Sequence, residues 1–138
     1  MGRVGEGTSI LIIDTATGTI TEKQGLSKAS WGYNSTVAVG SKVVMGGSSS
    51  ILIIDTVKGT VTEKGGLSEA RWGRNSTAVA GNKVVMGPGD DGTSILIIDT
   101  VTGTVTEKSG LSEANWGDGS TAVVGSKVIM GEYDNYLP

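Results

Sequence analysis

The chain contains no cysteine and no histidine among its 138 residues. The absence of cysteine excludes a disulfide framework, a thiol nucleophile and a thiolate metal site. The absence of histidine removes the most common metal ligand and the usual general base near neutral pH. Serine–histidine and cysteine–histidine nucleophilic mechanisms are therefore excluded. The sequence predicts a protein that is not an enzyme and that uses no cofactor or metal.

The chain also lacks a strong charge bias and a long apolar run. A net charge of −3 and the absence of a basic run argue against a nucleic-acid partner. The longest apolar runs, such as Ile10 to Ile13, are too short to span a membrane. The opening residues MGRVGEG contain no apolar core of the kind found in a signal peptide. We therefore expect a soluble protein, and its cellular location stays open.

Phenylalanine is absent and proline is scarce, whereas glycine is abundant, with 23 residues. Abundant glycine predicts many tight turns between short strands. A core made of Val, Ile, Leu, Ala and Met favours sheets over a helical bundle. Most of the chain consists of three copies of one segment, Ser9–Gly46, Ser50–Gly87 and Ser94–Gly131. The copies are nearly identical, which indicates a recent duplication or a designed or excised array.

Each copy predicts four short strands. The first has an uninterrupted ILII core, which is typical of a strand buried on both faces. The second reads Thr-x-Thr-Glu-Lys, as expected for a protected outer edge. The third consists of small residues and can approach a crowded axis, and the fourth reads Lys-Val-Val/Ile-Met. In chain order the twelve predicted strands are 9–14, 19–23, 35–39, 42–45, 50–55, 60–64, 76–80, 83–86, 94–99, 104–108, 120–124 and 127–130.

The repeat has the size of one propeller blade, because Trp31, Trp72 and Trp116 are 41 and 44 residues apart. The segment IIDTVKGTVTEKGGLSEARWGRNSTAVAGNKVVMG resembles a Kelch repeat, and Gly46-Gly47 matches the family's diglycine. The copies depart from the family pattern where its outer-strand tryptophan is replaced by Ile20, Val61 and Val105. The resemblance implies an all-β propeller in which the small-residue strand is innermost and the Thr-x-Thr-Glu-Lys strand is outermost.

If the chain is a Kelch-type propeller, residues 1–138 form a single repeat domain. It has a half-blade at 9–23, blades at 35–64 and 76–108, and a half-blade at 120–130. Three blades per chain are fewer than the four to eight of known propellers. We therefore expect a homodimer that closes a six-bladed ring. Its inter-chain strand pairing would join Ile10, Leu11, Ile12 and Ile13 of one chain to Lys127, Val128, Ile129 and Met130 of the other. The alternative is a β-trefoil or β-prism monomer with internal three-fold symmetry.

Two functions follow as hypotheses. The Kelch resemblance implies a structural or protein-binding scaffold that associates with itself. The alternative is a multivalent carbohydrate-binding lectin whose candidate ligand-binding residues are Trp31, Trp72, Trp116, Asn34, Asn75 and Arg74. Packing anchors are the competing interpretation of the tryptophans. Asp14, Asp55 and Asp99 are predicted to cap hairpin turns rather than to bind ions. Glu22, Glu63 and Glu107 are predicted to be solvated edge residues rather than paired catalytic carboxylates.

Overall fold

The computed structural model describes residues 6–133, and within them the chain forms twelve β-strands and no helix. No helix long and apolar enough to cross a membrane therefore occurs in this part of the chain. Every predicted strand is confirmed to within one residue at each end. The strands are β1 (Ile10–Asp14), β2 (Thr19–Lys23), β3 (Thr36–Val39), β4 (Lys42–Gly46), β5 (Ile51–Asp55), β6 (Thr60–Lys64), β7 (Thr77–Ala80), β8 (Lys83–Met86), β9 (Ile95–Asp99), β10 (Thr104–Lys108), β11 (Thr121–Val124) and β12 (Lys127–Met130).

The strands form four antiparallel sheets, which confirms the all-β prediction. Sheet A has the order β3-β4-β5-β6 and sheet B has the order β7-β8-β9-β10. The other two sheets contain two strands each: β1-β2, which we call the N-terminal half-sheet, and β11-β12, the C-terminal half-sheet. The charged strands β6 and β10 lie at sheet edges, as predicted. Residues 1–5 and 134–138 of the predicted domain lie outside the described residues.

An aspartate begins each hairpin that joins an ILII strand to the following Thr-x-Thr strand, namely β1–β2, β5–β6 and β9–β10. The Asp55 Oδ1 atom accepts hydrogen bonds from the backbone N–H groups of Val57 and Lys58, at 3.0 and 3.1 Å. Gly59, with a φ of 72°, reverses the chain. Asp14 and Asp99 make the same contacts. The hydrogen bond from the Lys58 backbone is the main cause that lowers the pKa of Asp55. The predicted turn-capping role is confirmed.

The apolar core lies between the faces of neighbouring sheets. Strand β5 is buried on both faces, as its ILII sequence predicts. Ile51 and Ile53 pack against sheet B in one cluster, whereas Leu52 and Ile54 pack against Ile10 of the N-terminal half-sheet in another. The four sheets are therefore stacked in chain order, each against the next.

The small-residue strands lie side by side at one end of the stacked sheets. Strand β7 contacts both β3 and β11. Just before these strands, the backbone N–H of Asn75 donates to the Asn34 carbonyl at 2.9 Å, and that of Gly119 donates to the Asn75 carbonyl at 3.1 Å. Small side chains permit this close approach of backbones from different sheets. The result is a ladder of hydrogen bonds that runs from sheet to sheet.

Candidate assembly interface

The two half-sheets correspond to complementary parts of the complete sheets A and B. In sheets A and B the second strand pairs with the third, β4 with β5 and β8 with β9. In the described residues β12, the counterpart of β4 and β8, pairs only with β11, and β1, the counterpart of β5 and β9, pairs only with β2. Each therefore has an unpaired edge. The residues predicted for inter-chain pairing, Ile10 to Ile13 and Lys127 to Met130, lie on these two strands.

The same apolar residues differ sharply in burial between the half-sheets and the complete sheets. Leu11 is 55% exposed and Ile13 is 57% exposed. Their counterparts in sheet B, Leu96 and Ile98, are both 0% exposed. Because the three copies share this sequence, the difference comes from the absence of a neighbouring sheet within residues 6–133. In the described part of the chain, the N-terminal half-sheet thus presents an apolar face that no other sheet covers.

An apolar cleft of about 230 Å³ lies between sheet B and the C-terminal half-sheet. Between sheets A and B, the matching space is filled by Leu96 and Ile98, which pack in the core cluster with Val84 and Met86. The C-terminal half-sheet has the counterparts of Val84 and Met86 but lacks the strand that carries the other two residues. The cleft lies beside Val128 and Met130, in the position that Leu96 and Ile98 fill beside Val84 and Met86. Its lining residues are Val85, Ile95, Leu111, Trp116, Val128 and Met130.

The tryptophans have packing roles. Each indole N–H donates to the carbonyl of the serine four residues earlier, at 2.8 Å in all three copies. Trp72 is 1% exposed and belongs to the core between sheets A and B. Trp31 packs on the core beneath the N-terminal half-sheet, and Trp116 lines the apolar cleft. A bound sugar would find no free indole face at Trp72, whereas Trp31 and Trp116 are partly exposed.

The other predicted ligand-binding residues are divided between two openings. The Arg74 guanidinium lies 4.5 Å from the centre of the Tyr33 ring, a cation–π contact, in a polar cleft of about 170 Å³ that Trp72 also lines. Asn34 and Asn75 line a separate opening of about 360 Å³ beside β3, β7 and β11. The structure does not bring all six residues into one site. Carbohydrate binding therefore stays a prediction.

Two glutamates form a contact that the sequence did not reveal, which we call the carboxylate clamp. Glu63 accepts the backbone N–H of Ser27 at 3.0 Å through Oε1 and the hydroxyl of Ser50 at 2.9 Å through Oε2. Glu107 accepts the same two groups from Ser68 and Ser94, at 3.1 and 2.6 Å. The prediction of simple solvated residues is wrong for Glu63 and Glu107, which are partly buried, because each holds the incoming connection against its own sheet.

The clamp changes the acidity of both carboxyl groups. Partial burial alone would raise the pKa of Glu63, but the hydrogen bonds from Ser27 and Ser50 outweigh burial and lower the pKa below its ordinary value. The pKa of Glu107 is lowered in the same way by Ser68 and Ser94. Both glutamates are therefore charged acceptors, and such hydrogen bonds are stronger than those between neutral groups.

No protein-family model matches the chain, and a search of curated proteins finds none with a similar sequence. The resemblance to Kelch repeats therefore stays a hypothesis.

Proposed function

We propose that the chain is a non-enzymatic, self-assembling scaffold of which two copies close a ring of six four-stranded sheets, a Kelch-type β-propeller. The observation that carries the proposal is the pair of complementary half-sheets with unpaired edges on β1 and β12. In the dimer, β11-β12 of one chain and β1-β2 of its partner form one complete sheet. The dimer contains two such composite sheets, which together with sheets A and B of both chains make six.

The internal sheets supply the register of this pairing. Lys83 lies opposite Asp99, Val84 opposite Ile98, Val85 opposite Ile97 and Met86 opposite Leu96. By the same register Lys127 lies opposite Asp14 of the other chain, Val128 opposite Ile13, Ile129 opposite Ile12 and Met130 opposite Leu11. Opposite charges and paired β-branched residues are favourable cross-strand neighbours. Both unpaired edges are thereby satisfied.

Assembly also covers the exposed apolar surface. In the composite sheet, Leu11 and Ile13 of one chain enter the apolar cleft beside Val128 and Met130 of the other. This reproduces the contacts that Leu96 and Ile98 make inside one chain. Contiguous apolar surface on a single chain is a strong driving force for association.

A six-sheet ring lies within the range of four to eight blades that propellers use. A trefoil or prism monomer closes within one chain and would not leave complementary sheets half-built. In the described residues β1 and β12 belong to separate sheets. This favours association over closure of the single chain.

A protein-binding role for the ring is supported by where the copies differ. Position 30 and its counterparts are Ser30, Arg71 and Asn115, and position 33 and its counterparts are Tyr33, Arg74 and Asp118. Four of these residues, Ser30, Tyr33, Arg71 and Arg74, line the polar cleft between the first two copies, whereas Asn115 is buried. One side of a ring of near-identical sheets would therefore present varied polar groups, as a recognition surface does.

The mass in solution tests the assembly. Light scattering after size exclusion is expected to give about twice the 14.0 kDa of the chain. The register is tested with paired cysteines, which are informative because the native chain has none. Ile12→Cys combined with Ile129→Cys is expected to give a covalent dimer on oxidation. Ile13→Cys combined with Ile129→Cys, whose side chains would point to opposite faces, is the control. A monomer that stays monomeric at high concentration would refute the proposal.

A further inference from the structure

The carboxylate clamp occurs twice within the described chain. A third set of matching residues is present, but its members are divided between the two half-sheets at opposite ends of the chain. Each clamp joins a glutamate on the edge strand of a sheet to a serine on the connection that leads into the same sheet. Ser27 leads into sheet A and contacts Glu63, and Ser68 leads into sheet B and contacts Glu107. The next serine in this series is Ser112, which leads into the C-terminal half-sheet.

That half-sheet has no edge strand of its own, so Ser112 has no glutamate to contact within residues 6–133. The matching glutamate is Glu22 on β2 of the N-terminal half-sheet. Its side chain is exposed and forms no hydrogen bond in the described part of the chain. Glu22 is the third acceptor and Ser112 the third donor of a series in which the other two pairs are joined.

We propose that Glu22 of one chain accepts the Ser112 backbone N–H of the other and so completes the third clamp across the chain boundary. The inference rests on the proposed ring. It adds to that proposal a polar contact that neither chain can form alone and that acts on the edge strand, away from the β1–β12 pairing. A two-fold dimer contains two of these inter-chain clamps.

Glu22 has the same sequence context as the two glutamates of the internal clamps. The Thr-x-Thr-Glu-Lys sequence is the same in all three copies, and in the two complete sheets its glutamate makes two hydrogen bonds. Ser9, the counterpart of Ser50 and Ser94, directly precedes β1 in the same chain as Glu22. Closure of the ring would add the Ser112 N–H, so that Glu22 has within reach counterparts of both donors that bind Glu63 and Glu107.

A pair of matched variants separates the inter-chain clamp from those within the chain. Glu22→Ala is expected to raise the Kd of the dimer about tenfold per clamp, since a hydrogen bond to a charged acceptor is worth at least this much. Glu63→Ala removes the same groups inside one chain. It is expected to lower the thermal stability and to leave the Kd of the folded dimer unchanged. Equal effects of both variants on the Kd would overturn the proposal.

Mixed dimers give a second test that is independent of chain stability. Ser112→Pro removes the N–H donor, and its chains are mixed with Glu22→Ala chains and allowed to exchange. Each homodimer then has two broken clamps, whereas the heterodimer has one intact clamp and one from which both partners are missing. Native mass spectrometry is expected to show heterodimer in excess. The readout is the squared heterodimer concentration divided by the product of the two homodimer concentrations, which is about 4 for random pairing. A tenfold effect per clamp raises this ratio to about 400.

A statistical mixture would show that Glu22 and Ser112 do not meet, and would overturn the clamp while the dimer itself stands. If Ser112→Pro does not fold, the comparison of Glu22→Ala with Glu63→Ala decides alone. A native chain that remains monomeric would overturn the ring and the clamp together. The two failures are therefore distinguishable.

Discussion

Replacement of Leu11 by alanine tests how much the uncovered face contributes to assembly. Leu11 is 55% exposed in the single chain, whereas its counterpart Leu96 is 0% exposed. Full burial of a leucine side chain contributes about 1.5–3 kcal/mol, so burial of the remaining surface contributes about 0.8–1.7 kcal/mol. Alanine keeps part of this burial, while the cavity that it leaves adds to the loss. The two corrections act in opposite directions.

A two-fold dimer buries two copies of Leu11, so Leu11→Ala is expected to weaken association by about 1.6–3.4 kcal/mol. At about 1.4 kcal/mol per factor of ten, the Kd of the dimer rises roughly 10- to 300-fold. Sedimentation equilibrium over a range of concentrations measures the change. The single chain should unfold at nearly the same denaturant concentration as before, since Leu11 is already more than half exposed.

Leu96→Ala is the matched control, because Leu96 has the same position in its copy but is buried within one chain. It is expected to lower the free energy of unfolding by about 2–5 kcal/mol. It should leave the Kd of the folded dimer unchanged, since Leu96 faces sheet A. A Leu11→Ala protein with an unchanged Kd would show that Leu11 stays exposed in the assembly, and the reasoning from sheet equivalence would fail.

Three further outcomes are expected. The backbone N–H of Asn34 is the next donor of the ladder that joins Asn75 and Gly119, so its hydrogen exchange should slow as the protein concentration rises. The N–H groups of Asn75 and Gly119 should be protected at every concentration. Because the pKa values of Glu63 and Glu107 are lowered from 4.5, the clamps stabilise the fold above that pH and lose their effect as the pH falls through the lowered values. Urea unfolding should therefore show a loss of stability below about pH 4.5 that is smaller in a Glu63→Gln, Glu107→Gln protein; an equal loss in both would exclude the clamps as its cause. Finally, Gly46→Ala should destabilise the chain by about 1–3 kcal/mol or more, because the added carbon overlaps the Trp72 carbonyl. Gly65→Ala, where the nearest atom would be 3.9 Å away, should have little effect in the same thermal melts.

The strands were predictable because the information that specifies them is local. An uninterrupted ILII run, a Thr-x-Thr edge pattern and an aspartate followed by glycine each indicate their structure within a few residues. The repetition then tests each interpretation three times in one chain. This explains why the strand boundaries and the capping role of Asp55 agree with the structure.

The clamp was not predictable because its contacts join distant parts of the chain. Glu63 is 36 residues from Ser27. The donor is a backbone N–H, which every residue except proline has, so the residue type does not indicate the contact. Burial of the ILII strands was only partly predictable for a related reason. The copies have the same sequence, yet β5 is buried on both faces and β1 is not, because burial depends on the neighbouring sheet.

The shape of the stacked sheets favours a ring over an open filament. An assembly built by repeating one contact closes into a ring if the rotations add to a full turn. Otherwise it continues as an open filament. At the small-residue strands, the backbones of sheets A and B are within hydrogen-bonding distance, 2.9 Å between the Asn75 nitrogen and the Asn34 oxygen. At the far side, a cleft of about 270 Å³ separates β6 from the hairpin between β9 and β10. Sheets A and B are therefore in direct backbone contact at the small-residue strands, whereas at the cleft the Lys42 side chain spans the gap to the Thr100 carbonyl. We propose that sheets joined in this way curve toward their small-residue side. Small residues in β3, β7 and β11 and long, charged ones in β2, β6 and β10 favour this curvature. The side-chain sizes that place each strand in its sheet thus also favour closure of the assembly.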